Sequence, residues 1–213
     1  MVSMKTIFII GGMGSGKSTV GRCFAGFGVP VLDLDKVGHA VLGMPEVKEA
    51  LVEGFGKAVL DKEGEVDRKA LAARAFATPA TADTLARITH PAILAELQEW
   101  LKAQEEAGNG FAAVEASAFG GGSMAFAFGG GSMAFADIPD YLIAVCAPME
   151  TRIKRVLANG FDEKDVERRM ALQPTDDQWG AWADFVIEST GSLAHLKAQA
   201  KRVWKAITSK REG

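Results

Sequence analysis

A glycine-rich segment directly after a short apolar run constrains the fold of this chain more than any other feature. The run covers residues 6–10, and the segment reads Gly11-Gly12-Met13-Gly14-Ser15-Gly16-Lys17-Ser18-Thr19. It fits the pattern G-x-x-x-x-G-K-[ST], whose glycines let backbone N–H groups turn toward phosphate oxygens. The β-branched run before it predicts the strand that this motif requires.

A helix is expected after the glycine-rich segment. Val20, Phe24 and Phe27 recur at helical spacing, and Gly28 is a natural stop. Such a helix points its positive N-terminal end at the same phosphates. We therefore expect residues 12–19 to bind a nucleoside triphosphate, with Lys17 on its β- and γ-phosphates and the Ser18 hydroxyl on Mg²⁺.

Composition indicates one globular α/β domain with inserted parts. The chain has 213 residues, of which 48% are hydrophobic. The net charge of −3 gives no indication of binding to nucleic acid or to an anionic membrane. Cys23 and Cys146 lie in apolar patterns and are expected to be small buried residues in a reducing compartment. The N-terminal apolar run is too short for a signal peptide.

Strand and helix patterns alternate along the chain and predict a five-stranded parallel sheet covered on both faces. Further strands are expected at residues 29–32, 111–115, 141–147 and 185–187. Helices fill the segment between the second and third strands. One of them is expected to begin at Thr78-Pro79, and a separate, longer one at Pro91.

Two carboxylates, Asp33 and Asp35, follow the second predicted strand. Open α/β sheets keep their ligands at this end of the strands. Because alternate residues of a strand share a side, both carboxylates are expected to reach the site. Either one could instead cap the next helix.

An exact tandem repeat interrupts the second half of the chain. Residues 118–126 recur unchanged as residues 127–135, and the Gly-Gly-Gly runs argue against a membrane-spanning helix. We expect a long mobile loop, with a binding lid as the alternative.

Together these motifs resemble the dephospho-CoA kinase family over most of the chain and in the right order. The resemblance rests on residues 11–20, Phe24, Gly28, residues 31–35, His39, Leu42, Phe55-Gly56, Gly64, Asp67-Arg68, Leu71, Phe76, His90-Pro91, Arg169, Gln173, Ala183-Asp184, Val186-Ile187 and Gly191. It implies a cytoplasmic kinase with a three-layer α/β P-loop NTPase fold. Such a kinase transfers the γ-phosphoryl group of ATP, with Mg²⁺, to the ribose 3′-hydroxyl of dephospho-CoA.

The resemblance also implies a division of the single domain, 1–213, into parts. The core covers residues 1–35, 109–147 and 183–213, the helical acceptor-binding part about 36–108, and the lid about 148–175. The expected partner is the small molecule dephospho-CoA, with no nucleic acid and no membrane. The chain is expected to be a monomer or a weak homo-oligomer.

Roles follow for residues on both sides of the reaction. The resemblance favours Asp35 as the base, with Asp33 assisting it or ordering metal-bound water, although the sequence leaves open which of the two is the base. Arg155, with Arg152 and Lys154 beside it, could stabilise transition-state charge from the lid or belong to a solvated helix face. Arg169 is a weaker candidate of the same kind.

Two further residues are substrate-side candidates. Arg68 follows the predicted helix cap Asp67 and could meet the phosphates of the acceptor or form a surface salt bridge. His90 precedes Pro91, where a lone histidine is more often a hydrogen-bonded structural residue than a ligand.

Three positions depart from the family pattern. The usual Pro-Leu-Leu-Phe-Glu is replaced after Ala116 by residues 117–121, Asn159 stands at the second lid arginine, and Ser189 stands at the usual Asn. The replaced segment motivates one alternative, a related small-molecule kinase with another acceptor. Together with Asn159 it motivates a second, a nucleotide-binding protein without kinase activity.

Overall fold

Five parallel strands form one sheet at the centre of the molecule, as predicted. A computed structural model describes residues 3–117 and 138–211, so the tandem repeat lies outside the described residues. The sheet order is β2-β3-β1-β4-β5. The strands are β1 (Lys5–Gly11), β2 (Val31–Asp33), β3 (Phe111–Ser117), β4 (Tyr141–Cys146) and β5 (Phe185–Glu188).

Helices cover both faces of the sheet. Their bounds are α1 (Lys17–Gly26), α2 (Leu34–Val41), α3 (Pro45–Phe55), α4 (Arg68–Ala75), α5 (Pro79–Glu106), α6 (Met149–Ala158), α7 (Glu163–Ala171), α8 (Asp176–Trp182) and α9 (Leu193–Arg211). Side chains of β1 alternate between the faces, with Ile7 and Ile9 packed with α1 and α9. Phe8 and Ile10 pack with α2, α5 and α8. None of the described helices is long and apolar enough to cross a membrane.

The expectation that Pro91 begins its own helix was wrong, because α5 runs through it from Pro79 to Glu106. Proline removes one helical hydrogen bond, which normally ends or kinks a helix. Here a buried stripe continues past it without a break, at Ala82, Ala86, Thr89, Ile93 and Leu97. Burial on both sides of Pro91 outweighs the missing hydrogen bond.

The segment between β2 and β3 forms a helical block, which we define as α2 to α5. Its outer helices have a small core of their own, formed by Val47, Leu51, Val59, Leu71 and Ala75. The Asp67 side chain accepts hydrogen bonds from the amides of Lys69 and Ala70 and caps α4, as predicted. This block stands beside the carboxyl ends of the strands through α2, which directly follows β2.

Both cysteines are free thiols and are half-buried rather than fully buried. Burial raises the pKa of each thiol, that of Cys146 to about 11. The two side chains therefore remain protonated and unreactive near neutral pH.

Candidate active site

The phosphate loop connects β1 to α1 and has its carbonyl groups turned toward cations. Lys17 Nζ donates to the carbonyl oxygens of Gly11 at 2.9 Å and Gly12 at 3.1 Å. The loop's next three carbonyls are bound by two arginines of α6. Arg152 Nε donates to Met13 O at 3.0 Å, and Arg155 Nη1 donates to the carbonyls of Gly14 and Ser15, each at 3.2 Å.

This arrangement leaves amide groups of the loop available on its other side, since a trans peptide points its C=O and N–H in opposite directions. Among the described residues, no acceptor contacts the amides of Gly14, Gly16, Lys17 or Ser18. Positive φ angles at Gly14 (76°) and Gly16 (107°) give the loop its curl. Unpaired amides at the start of a helix are the groups that bind phosphate.

Lys17 is the buried cation of this loop. Its side chain is only 7% exposed, and burial lowers the pKa of its ammonium group, against the opposing effects of Asp35 and Glu115. A poorly hydrated ammonium pairs strongly with an incoming phosphate, because little solvation is lost when the pair forms.

Asp33 ends β2 and caps α2. Its Oδ1 accepts hydrogen bonds from the amides of Asp35 at 3.1 Å and Lys36 at 3.3 Å. Its Oδ2 lies 3.4 Å from Lys36 Nζ. The cap explains why the strand stops here and a helix begins.

Asp35 therefore lies in the first turn of α2, and the expectation that it shares a strand face with Asp33 was wrong in its geometry. Its Oδ2 accepts a hydrogen bond of 2.6 Å from Ser117 Oγ at the end of β3. The charges of Asp33 and Asp35 oppose the lowering of the Lys17 pKa, so both carboxylates lie near enough to its ammonium group to act on it. The structure thus brings Lys17, Asp33 and Asp35 together.

Glu115 is a site residue that we did not single out from the sequence. It is 8% exposed on β3, opposite Asp33 in the register, and lies within hydrogen-bonding reach of the Ser18 side chain. Burial raises the pKa of its carboxyl group. Gly21 makes room for it, since a Cβ there would lie 1.9 Å from Glu115 Oε1. The sequence signal that could have identified Glu115 is an acidic residue within an otherwise apolar strand pattern.

Arg155 contacts the loop and the end of β5. In addition to the two loop carbonyls, it donates to Ser189 Oγ at 3.0 Å and to Ser189 O at 2.9 Å. Asn159 is exposed at the C-terminal end of the same helix. The two arginines of α6 that contact the loop are therefore Arg152 and Arg155.

The acceptor-side candidates lie on separate elements. Arg68 is exposed at the start of α4. The pKa of the nearby His39 on α2 is lowered mainly by burial of the imidazole and, to a smaller extent, by the charge of Arg68. The Arg169 guanidinium lies 4.8 Å from the centre of the Phe76 ring, so α7 contacts the helical block. Arg169 Nε also donates to Asp165 Oδ2 at 2.8 Å.

His90 lies inside α5 and is half-buried. Burial lowers its pKa to about 4. The imidazole is therefore neutral at pH 7, so it can offer a substrate hydrogen bonds but no charge.

A five-stranded parallel sheet with this loop, a buried loop lysine and carboxylates beside it defines a P-loop kinase. The family model for dephospho-CoA kinase matches residues 5–114. A dephospho-CoA kinase from Aquifex aeolicus is 35% identical over 207 residues, which cover 96% of this chain and 98% of that protein. The chain belongs to the dephospho-CoA kinase family.

Solved structures share this fold. The crystal structure of TT1252 from Thermus thermophilus has a TM-score of 0.74 at 30% identity and covers 98% of each chain. A dephospho-CoA kinase from Campylobacter jejuni has a TM-score of 0.58 at 22% identity, over 96% of this chain and 97% of its own, and supports the fold.

Proposed function

We propose that this chain transfers the γ-phosphoryl group of ATP to the ribose 3′-hydroxyl of dephospho-CoA, the last step of coenzyme A biosynthesis. One observation carries the proposal: the family likeness extends over nearly the whole chain. Within that likeness, the Asp35 carboxylate lies near enough to Lys17 for its charge to act on the pKa of the lysine. A donor site and a carboxylate for an acceptor hydroxyl are therefore adjacent.

The donor side binds and neutralises ATP. The free amides of the loop and the N-terminal end of α1 receive the phosphates, while Lys17 exchanges its carbonyl contacts for the β- and γ-phosphates. Residues 12–19 form this binding segment. Charge that develops on the transferred group is stabilised by Lys17 and by Arg155, once Arg155 exchanges its contacts with the loop carbonyls for the phosphates.

The residues present fit a Mg²⁺ ion, although no group of three or more His, Cys, Asp or Glu side chains poised for a metal occurs within residues 3–117 and 138–211. Ser18 and Glu115 offer hard oxygen ligands within reach of each other, and Asp33 adds negative charge. We propose Ser18 as a direct ligand. When bound, Mg²⁺ would neutralise negative charge on the phosphates of ATP.

On the acceptor side, Asp35 takes the proton of the attacking hydroxyl. The hydrogen bond from Ser117 holds Asp35 Oδ2 and so fixes the orientation of the carboxylate, which leaves Oδ1 to accept the proton. Asp33 holds Asp35 in place through the cap of α2. Arg68 pairs with acceptor phosphates, and His90 contributes at most a neutral hydrogen bond.

The proposed division follows from these roles. The core of residues 1–35, 109–147 and 183–213 holds ATP, the helical part of about 36–108 binds dephospho-CoA, and the lid of about 148–175 covers the phosphates. We infer a cytoplasmic enzyme that is a monomer or a weak homo-oligomer, as the family resemblance implies.

A kinase with a different acceptor is the second candidate, favoured by Ser117 at the point where the chain departs from the family pattern. ADP release from Mg²⁺-ATP separates the two, measured with dephospho-CoA, with shikimate and with no acceptor. We expect release that depends on dephospho-CoA, with matching CoA formation. Nucleotide binding without release in any of the three reactions would instead support a nucleotide-binding protein without kinase activity.

A further inference from the structure

Arg152 is the least exposed charged side chain in the described residues, at 2% exposure. It extends from α6 to the phosphate loop, where three hydrogen bonds join Arg152, Gln173 and Met13 in a ring. Arg152 Nε donates to Met13 O at 3.0 Å, and Arg152 Nη2 donates to Gln173 Oε1 at 2.6 Å. The same Gln173 oxygen accepts the Met13 amide at 2.9 Å.

The guanidinium also lies directly against the backbone of Gly12. A Cβ at Gly12 would lie 1.8 Å from Arg152 Nη2, so only glycine permits this approach. On its far side, Arg152 Nη1 lies 3.8 Å from Asp176 Oδ1 at the start of α8. One side chain therefore joins α6, the residues after α7 and the start of α8 to the loop.

Packing alone does not account for an arginine in this place. A buried ion pair seldom stabilises a fold more than apolar residues of the same volume would. Burial lowers the pKa of Arg152, which is the sign of that cost. An arginine instead fixes the orientation of its partners. Its planar guanidinium donates to two acceptors, Met13 O and Gln173 Oε1, at fixed angles, which a lysine ammonium cannot do.

We infer that Arg152 is a positioning residue for the donor nucleotide, which fixes the Met13 carbonyl directly and the Met13 amide through Gln173, and so orients the loop amides toward phosphate. The inference rests on the proposed function only in that the loop binds a nucleotide. Arg152 acts through the loop and contacts no reacting atom, so its removal weakens nucleotide binding and leaves acceptor binding intact.

The test compares Arg152→Met, Arg152→Lys and Gln173→Leu with Lys154→Met, which removes an exposed charge from the same helix. ADP affinity is measured by calorimetry without any acceptor. We expect Arg152→Met to raise the Kd for ADP at least about tenfold, because charged hydrogen bonds to the loop are lost. Arg152→Lys is expected to restore only part of the affinity, and Lys154→Met to have no effect.

Steady-state kinetics add a readout that a merely structural role would not change. We expect the KM for ATP to rise with Arg152→Met while the KM for dephospho-CoA changes less than about twofold. Adding Gln173→Leu to Arg152→Met should cost little more than either change alone, because both side chains belong to one ring.

Wild-type ADP affinity in a folded Arg152→Met protein would overturn the inference, as would equal rises in both KM values. If Arg152→Met fails to fold, Gln173→Leu decides, since it breaks the same ring while Arg152 Nε keeps its hydrogen bond to Met13 O. A wild-type protein that binds ADP but forms no CoA would contradict the proposed function alone, because the calorimetric comparison needs no acceptor.

Discussion

The donor and acceptor sides of the site are built in different ways. On the donor side, five successive loop carbonyls are bound by Lys17, Arg152 and Arg155, so the loop is held before any ligand arrives. On the acceptor side, the candidate groups stand on separate helices, and Arg68 is exposed. The donor side is a preorganised backbone cradle, whereas the acceptor side is an assembly of side chains.

This difference implies a division of labour that experiments can separate. Changes on the donor side should weaken nucleotide binding and transfer together, because the cradle is one connected unit. Changes on the acceptor side should spare nucleotide affinity and affect transfer or acceptor binding alone.

The largest effect is expected for Lys17→Ala. The change removes the buried ammonium from two loop carbonyls and from the phosphates of ATP, so kcat/KM should fall at least about a thousandfold, with weaker ADP binding. Steady-state kinetics and calorimetry measure both effects. Lys102→Ala, in a side chain 76% exposed on α5, is the matched control. Substantial activity in Lys17→Ala would show that Lys17 is not required for phosphoryl transfer.

Asp35→Asn should lower the rate of transfer without changing nucleotide affinity, which distinguishes the acceptor side from the donor side. The amide retains the size of the carboxylate but cannot take a proton, so kcat should fall about a hundredfold to ten-thousandfold. The Kd for ADP should stay within about twofold of the wild-type value, since no loop contact is lost. Near-normal turnover would show that another group is the base, and the same change at Asp33 would then be the next variant to measure.

A pH effect on stability is expected from His90. Its pKa is lowered from 6.5 to about 4 in the folded protein, so the neutral ring is favoured there. The resulting stability is complete above pH 6.5 and is lost as the pH falls from 6.5 through 4, by up to about 3 kcal/mol. Denaturant unfolding at several pH values measures this loss.

His90→Gln should remove that part of the pH dependence, and His195→Gln, at an exposed position, should leave it in place. An unchanged pH profile in His90→Gln would mean that other groups cause the loss of stability. Nucleotide affinity at pH 7 should be unaffected by the His90 change, which keeps this effect apart from the donor side.

The smallest effect is expected for Arg169→Met. A cation–π contact at this degree of exposure contributes about 0.5–1 kcal/mol, so the KM for dephospho-CoA should rise about twofold to fivefold. The KM for ATP should not change. Arg168→Met is the matched control, because Arg168 also pairs with Asp165 but is not the arginine placed over Phe76. Equal effects of both changes would assign the loss to Asp165 instead.

The donor side could be predicted from the sequence because its groups are contiguous. One nine-residue segment contains the loop glycines, Lys17 and Ser18, and the strand and helix around it follow from local patterns. The alternation of strands and helices likewise predicted the sheet, which the structure confirms.

The rest depends on packing that local patterns do not encode. The cap at Asp33 moves Asp35 from a strand to a helix, and a continuous buried stripe takes α5 through Pro91. Glu115 and Gln173 reach the loop from distant parts of the chain, and their roles appear only when the sheet order and the positions of α6 and α7 are known.

The most direct test of the central claim is the identity of the bond formed. Wild-type protein is incubated with Mg²⁺-ATP and dephospho-CoA, ADP and CoA are quantified together, and the product is treated with a 3′-nucleotidase. We predict equal amounts of ADP and CoA, and a product that the nucleotidase returns to dephospho-CoA. ADP formed without CoA, or a product that resists the nucleotidase, would contradict transfer to the ribose 3′-hydroxyl.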